Sequence, residues 1–97
     1  MTAYVIAEID VTNPEGYKPY TQLVPASIAL YGGRFLVRGG AAEVLEGDWP
    51  QLRRVILEFP SMEAARAWWD SPEYAKPKEL RRANSKGRLV LLEGFDG

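Results

Sequence analysis

Arg34 and Arg38 stand four positions apart in the stretch Gly32-Gly33-Arg34-Phe35-Leu36-Val37-Arg38-Gly39-Gly40. Two guanidinium groups on one strand can hold a carboxylate or a phosphate through paired N–H donors. On a flat strand their even spacing puts both on one face, opposite Phe35 and Val37. The competing role is structural: an ion pair across the sheet or between subunits, with Glu8 or Glu58 as partner. Tyr17, Tyr20 and Tyr31 recur at helical spacing with Ser27 nearby. A tyrosine hydroxyl can polarise a carbonyl or stabilise an oxyanion, and its ring can stack on an aromatic substrate. The same tyrosines can equally be core aromatics whose hydroxyls are satisfied locally. Trp68 and Trp69 are adjacent on a helix, so their directions differ by about 100°. One is expected beneath the helix, the other at its edge as a pocket wall or dimer contact.

The remaining polar residues carry weaker signals. Asn84 and Ser85 read as the close of a helix rather than as ligand donors. Lys76, Lys78, Arg81, Arg82, Lys86 and Arg88 form a basic run, diluted by Glu73 and Glu79, which reads as a solvated helix face.

Several classes of chemistry are excluded by composition. The chain has no cysteine and no histidine. Thiol nucleophiles, disulfides, thiolate metal sites and the usual neutral-pH catalytic base are therefore absent. Only oxygen ligands remain and no loop suits them, so no metal is expected and no cofactor is assigned. A net charge of −1 over 97 residues gives no general attraction to nucleic acid or anionic membranes. No stretch approaches the ~20 apolar residues that span a bilayer. Glu8 and Asp10 interrupt the segment where a secretory leader would be apolar, so a cytoplasmic protein is expected.

The elements that must position these residues follow from periodicity. Residues 2–11 alternate as a strand. Asn13-Pro14-Glu15 starts a helix, with Tyr17, Tyr20, Val24, Ile28 and Tyr31 on one face. Pro25 should kink or split it. Residues 33–40 form a second strand, 43–47 a short exposed return strand, and 52–59 a third. Ser61 caps a helix to Asp70, and Ser71-Pro72-Glu73 starts another that runs to about Asn84, disturbed by Pro77 and ended by Lys86-Gly87. Residues 88–95 are the last strand. One domain over residues 1–97 results, α+β in class: a ferredoxin-like βαββαβ fold with a four-stranded antiparallel sheet and helices on one face. The other face would carry Tyr4, Ile6, Leu36 and Ile56 with Glu8, Arg38 and Glu58, too apolar for a monomer's surface. That predicts a homodimer packed sheet on sheet.

Several segments carry a family resemblance: Ala3-Tyr4-Val5-Ile6, Tyr31 to Gly40, Leu45-Glu46-Gly47-Asp48-Trp49, Phe59-Pro60-Ser61-Met62-Glu63-Ala64-Ala65 and Ser71-Pro72-Glu73-Tyr74. Together they resemble the family called domain of unknown function 1330 over essentially the whole chain. The resemblance implies the dimeric α/β-barrel fold and a homodimer. Relatives in that superfamily include cofactor-free quinol monooxygenases, haem-degrading enzymes, lactone isomerases and ligand-sensing domains. Such diversity leaves the reaction unassigned, and relatives that rely on histidine have no counterpart here.

The expected function is small-molecule binding between helices and sheet, with Tyr17, Ser27, Arg34 and Trp69 as substrate-binding candidates. Any chemistry would be cofactor-free proton transfer or oxygenation of an aromatic or enolisable substrate, using a carboxylate or tyrosine tuned by burial. The alternative is a non-catalytic dimeric ligand-binding or sensor module. Ile6, Leu36, Arg38, Ile56 and Glu58 are the dimer-interface candidates. Arg38, deep on that face, should pair with Glu8 or Glu58. Arg34, at the strand's start, should reach round to the pocket mouth.

Overall fold

The strict alternation at the N-terminus gives a central strand with two distinct faces. In the computed structural model, which describes residues 1–95, β1 (Ala3–Val11) buries Ala3, Val5, Ala7 and Ile9 on one side. It pairs antiparallel with β3 (Arg53–Phe59) and with β4 (Ser85–Glu93), while β2 (Arg34–Arg38) adds to the free edge of β3. The sheet order is β2-β3-β1-β4. Helices α1 (Pro14–Leu30), α2 (Met62–Trp69) and α3 (Pro72–Asn84) cover the face that carries Val5, Leu57 and Phe59. The expected ferredoxin-like architecture is thus present.

Each helix starts on the residue that the sequence marks. Asn13, Ser61 and Ser71 are N-caps whose side chains accept from the backbone N–H of Gly16, Ala64 and Tyr74, at 3.3, 3.0 and 3.1 Å. Helix α3 ends where expected, but Lys86-Gly87 does not form its stop. Helix α3 stops at Asn84 and β4 begins at once, so Lys86-Gly87 lies inside the strand. The Asn84 carbonyl is taken by the Thr12 and Asn13 N–H groups at 3.0 and 3.1 Å, which fixes the helix end there. Helix α1 runs unbroken through both Pro19 and Pro25. Of the kink or split expected at Pro25, the split does not occur, and packing of Val24, Ser27 and Ile28 holds the segment together.

Two further expectations fail in the segment around β2. Residues 43–47 do not return as a strand; residues 39–52 carry neither helix nor strand. They do not pair with the open edge of β2 and are ordered by local bonds instead. Trp49 Nε1 donates to the Glu46 carbonyl at 2.9 Å, and Arg54 Nη2 donates to the Pro50 carbonyl at 2.8 Å. Within β2, Phe35 opposes Leu57 but Val37 opposes Ile56, so Leu36 is an extra residue in a bulge. A bulge inverts the faces that follow it. Arg34 opposes Glu58 on the helix-free face, whereas Arg38 opposes Val55 on the helix-covered face. The two arginines do not share a face.

The buried centre is aromatic. Trp68, Tyr74 and Phe59 are essentially inaccessible, with the Trp68 and Tyr74 rings 4.1 Å apart and Phe59 5.3 Å from Trp68. The opposite sheet face has no helix over it. Its polar centre is Glu8, which accepts from Arg54 Nε at 3.1 Å and Arg88 Nε at 2.7 Å, beside the Arg34–Glu58 pair at 2.8 Å. Paired arginines hold the Glu8 carboxyl below its usual value, first through the hydrogen bond from Arg88 and then through that from Arg54.

Candidate functional site

A small cavity of about 30 Å³ lies between α1, α3 and the sheet. Tyr17, Tyr20 and Thr21 line it from α1, Arg81 from α3, and Arg38, Arg53 and Val55 from β2 and β3. Three arginines thus converge on a space that no carboxylate lines. Among the described residues, none of the three has a carboxylate within 4.0 Å.

Each cation reaches the cavity by a different route. Arg53 lies on the same face of β3 as Val55, Leu57 and Phe59, so alternation aims it under the helices. Its Nε is buried and has no hydrogen-bond partner. The backbone of Gly39 (φ +68°) lies against the Arg53 guanidinium, where a Cβ would sit 2.8 Å from Cζ. Arg81 is one and two turns along α3 from Pro77 and Tyr74, on the buried face, and is only 4% exposed. Its Nε donates to the Tyr74 hydroxyl at 3.2 Å. Arg38 stands at the rim, 4.4 Å over the Phe35 ring, with Nη2 donating to the Thr21 carbonyl at 2.6 Å. That carbonyl is available because Pro25, four residues on, has no N–H to give it.

Tyr17 is the focus of this cluster. Burial raises its hydroxyl pKa, and the neighbouring Arg53 and Arg81 charges oppose the rise. Burial raises the Tyr20 pKa strongly, and its hydroxyl lies 3.2 Å from that of Tyr74. Neither tyrosine is ionised at neutral pH, and no Asp or Glu lines the cavity, so it holds no ready general base. What it offers is a mostly apolar wall, including Ala7, Ile9 and Leu89, with a few polar atoms from the arginines and tyrosines.

The sequence candidates are distributed as follows. Tyr17 lines the cavity. Ser27 does not; it is buried behind it, accepting from Trp68 Nε1 at 3.1 Å and donating to the Val24 carbonyl at 2.7 Å. Its role is to satisfy the indole. Arg34 lies on the other sheet face, paired with Glu58, and takes no part in the cavity. Trp69 lies at the helix edge, as the pair reading expects, in a neighbouring groove of about 360 Å³ that it shares with Arg81, Arg82 and Ser85. Lys78 packs 4.1 Å over its ring. Ile6, Ile56 and Glu58 lie on the helix-free face, with Leu36 exposed at the bulge. Arg38 is the correction: the bulge at Leu36 turns it away from that face and toward Thr21, and neither Glu8 nor Glu58 partners it.

Arg53 and Arg81 were missed. The signal for Arg53 was present, since it shares the odd-numbered register with Leu57 and Phe59. Arg81 was absorbed into the basic run, although its spacing from Tyr74 and Pro77 marks the buried face. Asn84 and Ser85 are structural: Asn84 Nδ2 donates to the Leu80 carbonyl at 2.8 Å, and the Ser85 hydroxyl donates to the Arg81 carbonyl.

Solved structures share this fold across the whole chain. A protein of unknown function from Rhodopseudomonas palustris is 19% identical with a TM-score of 0.79, covering 99% of this chain and 84% of its own. A dimeric ferredoxin-like protein of unknown function from Jannaschia sp. is 12% identical with a TM-score of 0.73, covering 97% and 100%. SnoaB, a cofactor-independent oxygenase from Streptomyces nogalater, is 16% identical with a TM-score of 0.70, covering 99% and 95%. A search of the curated proteins finds no match. The model of the family described as domain of unknown function (DUF1330) matches residues 2–95, and the chain belongs to that family.

Proposed function

We propose that the protein binds a small molecule in the cavity between α1, α3 and the sheet, as a homodimer joined through the helix-free sheet faces. The observation that carries the binding reading is the unpartnered Arg53 Nε, buried in a wall that also holds Arg81. Burying guanidinium groups without counter-charge costs on the order of several kcal/mol. Arg81 is buried and Arg53 half-buried beside the same cavity, and an anion entering it would offset that cost.

The dimer reading rests on the other face. Leu36, Val37, Val90 and Leu92 are each 40–49% exposed there, flanking Ile6 and Ile56. Leu45 and Trp49 of the 39–52 connection extend the same apolar surface, 92% and 54% exposed, beside Arg54. Apolar residues around a centre of internally paired charges fit a second copy, and the Jannaschia neighbour is described as dimeric. No helix of the described residues is long and apolar enough to cross a membrane. The cytoplasmic location expected from the sequence belongs to the same proposal.

A catalytic reading is favoured by one observation: the likeness to a cofactor-independent oxygenase. In such chemistry the arginines would stabilise a substrate enolate or phenolate as charge develops, the tyrosine hydroxyls would orient it, and the acidic proton would leave to solvent. Thermal-shift screening against aromatic and enolisable compounds tests binding; hits raise the melting temperature of the parent protein. Oxygen uptake with the same hits separates the readings. Uptake without added cofactor supports catalysis, and stabilisation without turnover supports a ligand-binding module. A protein that no compound stabilises and that purifies without any small molecule contradicts the proposal.

A further inference from the structure

We infer that the ligand is an organic carboxylate, its charged head seated between Arg53 and Arg81 with Arg38 at the entrance. The inference rests on the binding reading above and goes further by assigning charge and head-group chemistry. Four observations carry it.

The first is charge. Among the described residues, three guanidinium groups and no carboxylate line the cavity. A surface arginine without a partner is solvated, but Arg81 is 4% exposed and Arg53 Nε is fully buried. An anion in the cavity would compensate the charge of both.

The second is donor supply. Arg53 Nε has no acceptor at all, and the one acceptor of Arg81 Nε, the Tyr74 hydroxyl, is a neutral group. Carboxylate oxygens accept from two donors each and fit the planar guanidinium fork. A neutral carbonyl would accept hydrogen bonds but leave the charge uncompensated.

The third is size. About 30 Å³ is room for about two water molecules, at roughly 10–15 Å³ of such space for each. That is the scale of a carboxylate group and is tight for a tetrahedral phosphate. The ligand's body must therefore lie outside the cavity, past Arg38.

The fourth is architecture. Gly39 adopts a positive φ with its backbone against the Arg53 guanidinium, so the turn after β2 leaves room for that side chain. The Leu36 bulge then turns Arg38 toward the same mouth. Two backbone irregularities in one short edge strand thus converge on the arginines.

The test follows the arginine Nε–H resonances by NMR while acetate and benzoate are added at constant ionic strength and neutral pH. Acetamide, benzamide and inorganic phosphate serve as comparison probes. The carboxylates should move the Arg53 and Arg81 signals saturably, and the amides should not. Arg53→Met should weaken benzoate binding at least tenfold. Arg34→Met, on the opposite sheet face, should leave it unchanged. Arg53→Met keeps the test open should Arg81→Met fail to fold. Equal binding of benzoate and benzamide would overturn the inference while leaving the cavity a binding site. Tighter binding of phosphate than of either carboxylate would overturn the head-group assignment. If no probe moves these signals, the inference fails; mass analysis of the purified protein then decides the broader reading, because a recovered neutral ligand would preserve it and an empty protein would not.

Discussion

Pro25 has no N–H for the Thr21 carbonyl, and Arg38 donates one from the neighbouring strand at 2.6 Å. A substitution in the helix should therefore change what the strand arginine contributes. Arg38→Met is expected to cost about 1 kcal/mol, the usual worth of such a bond. With Pro25→Ala the carbonyl regains a partner within the helix, and the same Arg38→Met change should then cost less. Urea denaturation of the two single variants and the double variant measures this; additive effects would contradict the coupling. Ser27 makes a second residue-level case. Ser27→Ala leaves the buried Trp68 Nε1–H without an acceptor, at a cost of about 1–3 kcal/mol. It should leave benzoate binding intact, because the hydroxyl points to the indole and not into the cavity. Stability unchanged from the parent would refute that role. The sequence made Tyr17 legible, since helical spacing aims it at the sheet. It could not distinguish a serine serving a ligand from one serving a tryptophan, because that depends on which side chain of a different helix arrives opposite.

At the scale of the elements, the caps and the alternation carried the reading, and the irregular segments defeated it. Asn13, Ser61 and Ser71 each start a helix where the sequence places one. By contrast, one extra residue at Leu36 sends Arg34 and Arg38 to opposite faces. Nothing in the local composition separates a bulged Arg34–Arg38 strand from a flat one; the choice is made by pairing with β3 and by the Thr21 carbonyl waiting above. Arg53 was legible in principle, because its register with Leu57 and Phe59 places it under the helices. In place of the return strand expected at 43–47 stands a connection ordered by local hydrogen bonds from Trp49 and Arg54. Gly39 connects these irregularities to the site. Gly39→Ala puts a side chain on a positive φ, at about 1–2 kcal/mol, and presses on Arg53. Lower stability together with weaker benzoate binding is expected from denaturation and titration. A stability loss that spares binding would show that the turn does not position Arg53.

The whole molecule presents two faces with different charge arrangements. Among the described residues, Arg38, Arg53 and Arg81 beneath the helices have no carboxylate partner; on the bare face, Arg34, Arg54 and Arg88 are matched by Glu58 and Glu8. The amphipathic strands made the apolar character of that bare face legible, whereas the ion pairing depended on which residues the registers of β1 with β3 and β4, and of β2 with β3, bring opposite one another. If two copies meet through this face, Ile56→Lys should yield monomer or aggregate in a sizing experiment, and a folded wild-type monomer at micromolar concentration would contradict the dimer. Acid should act through Glu8. Its folded pKa lies below the ordinary 4.5, so its stabilising contribution is complete above that value and fades as pH falls through the lower folded one. Glu8→Gln should flatten that part of the acid-stability profile; an unchanged profile would place the acid sensitivity elsewhere. The central claim, that the arginine-lined cavity is an anion-binding site, is tested most directly by native mass spectrometry of the protein as purified. The account predicts a dimer of the 10.9 kDa chain carrying one acidic organic molecule per subunit, lost on Arg53→Met. A bound molecule that is neutral, or that survives Arg53→Met undiminished, would contradict it.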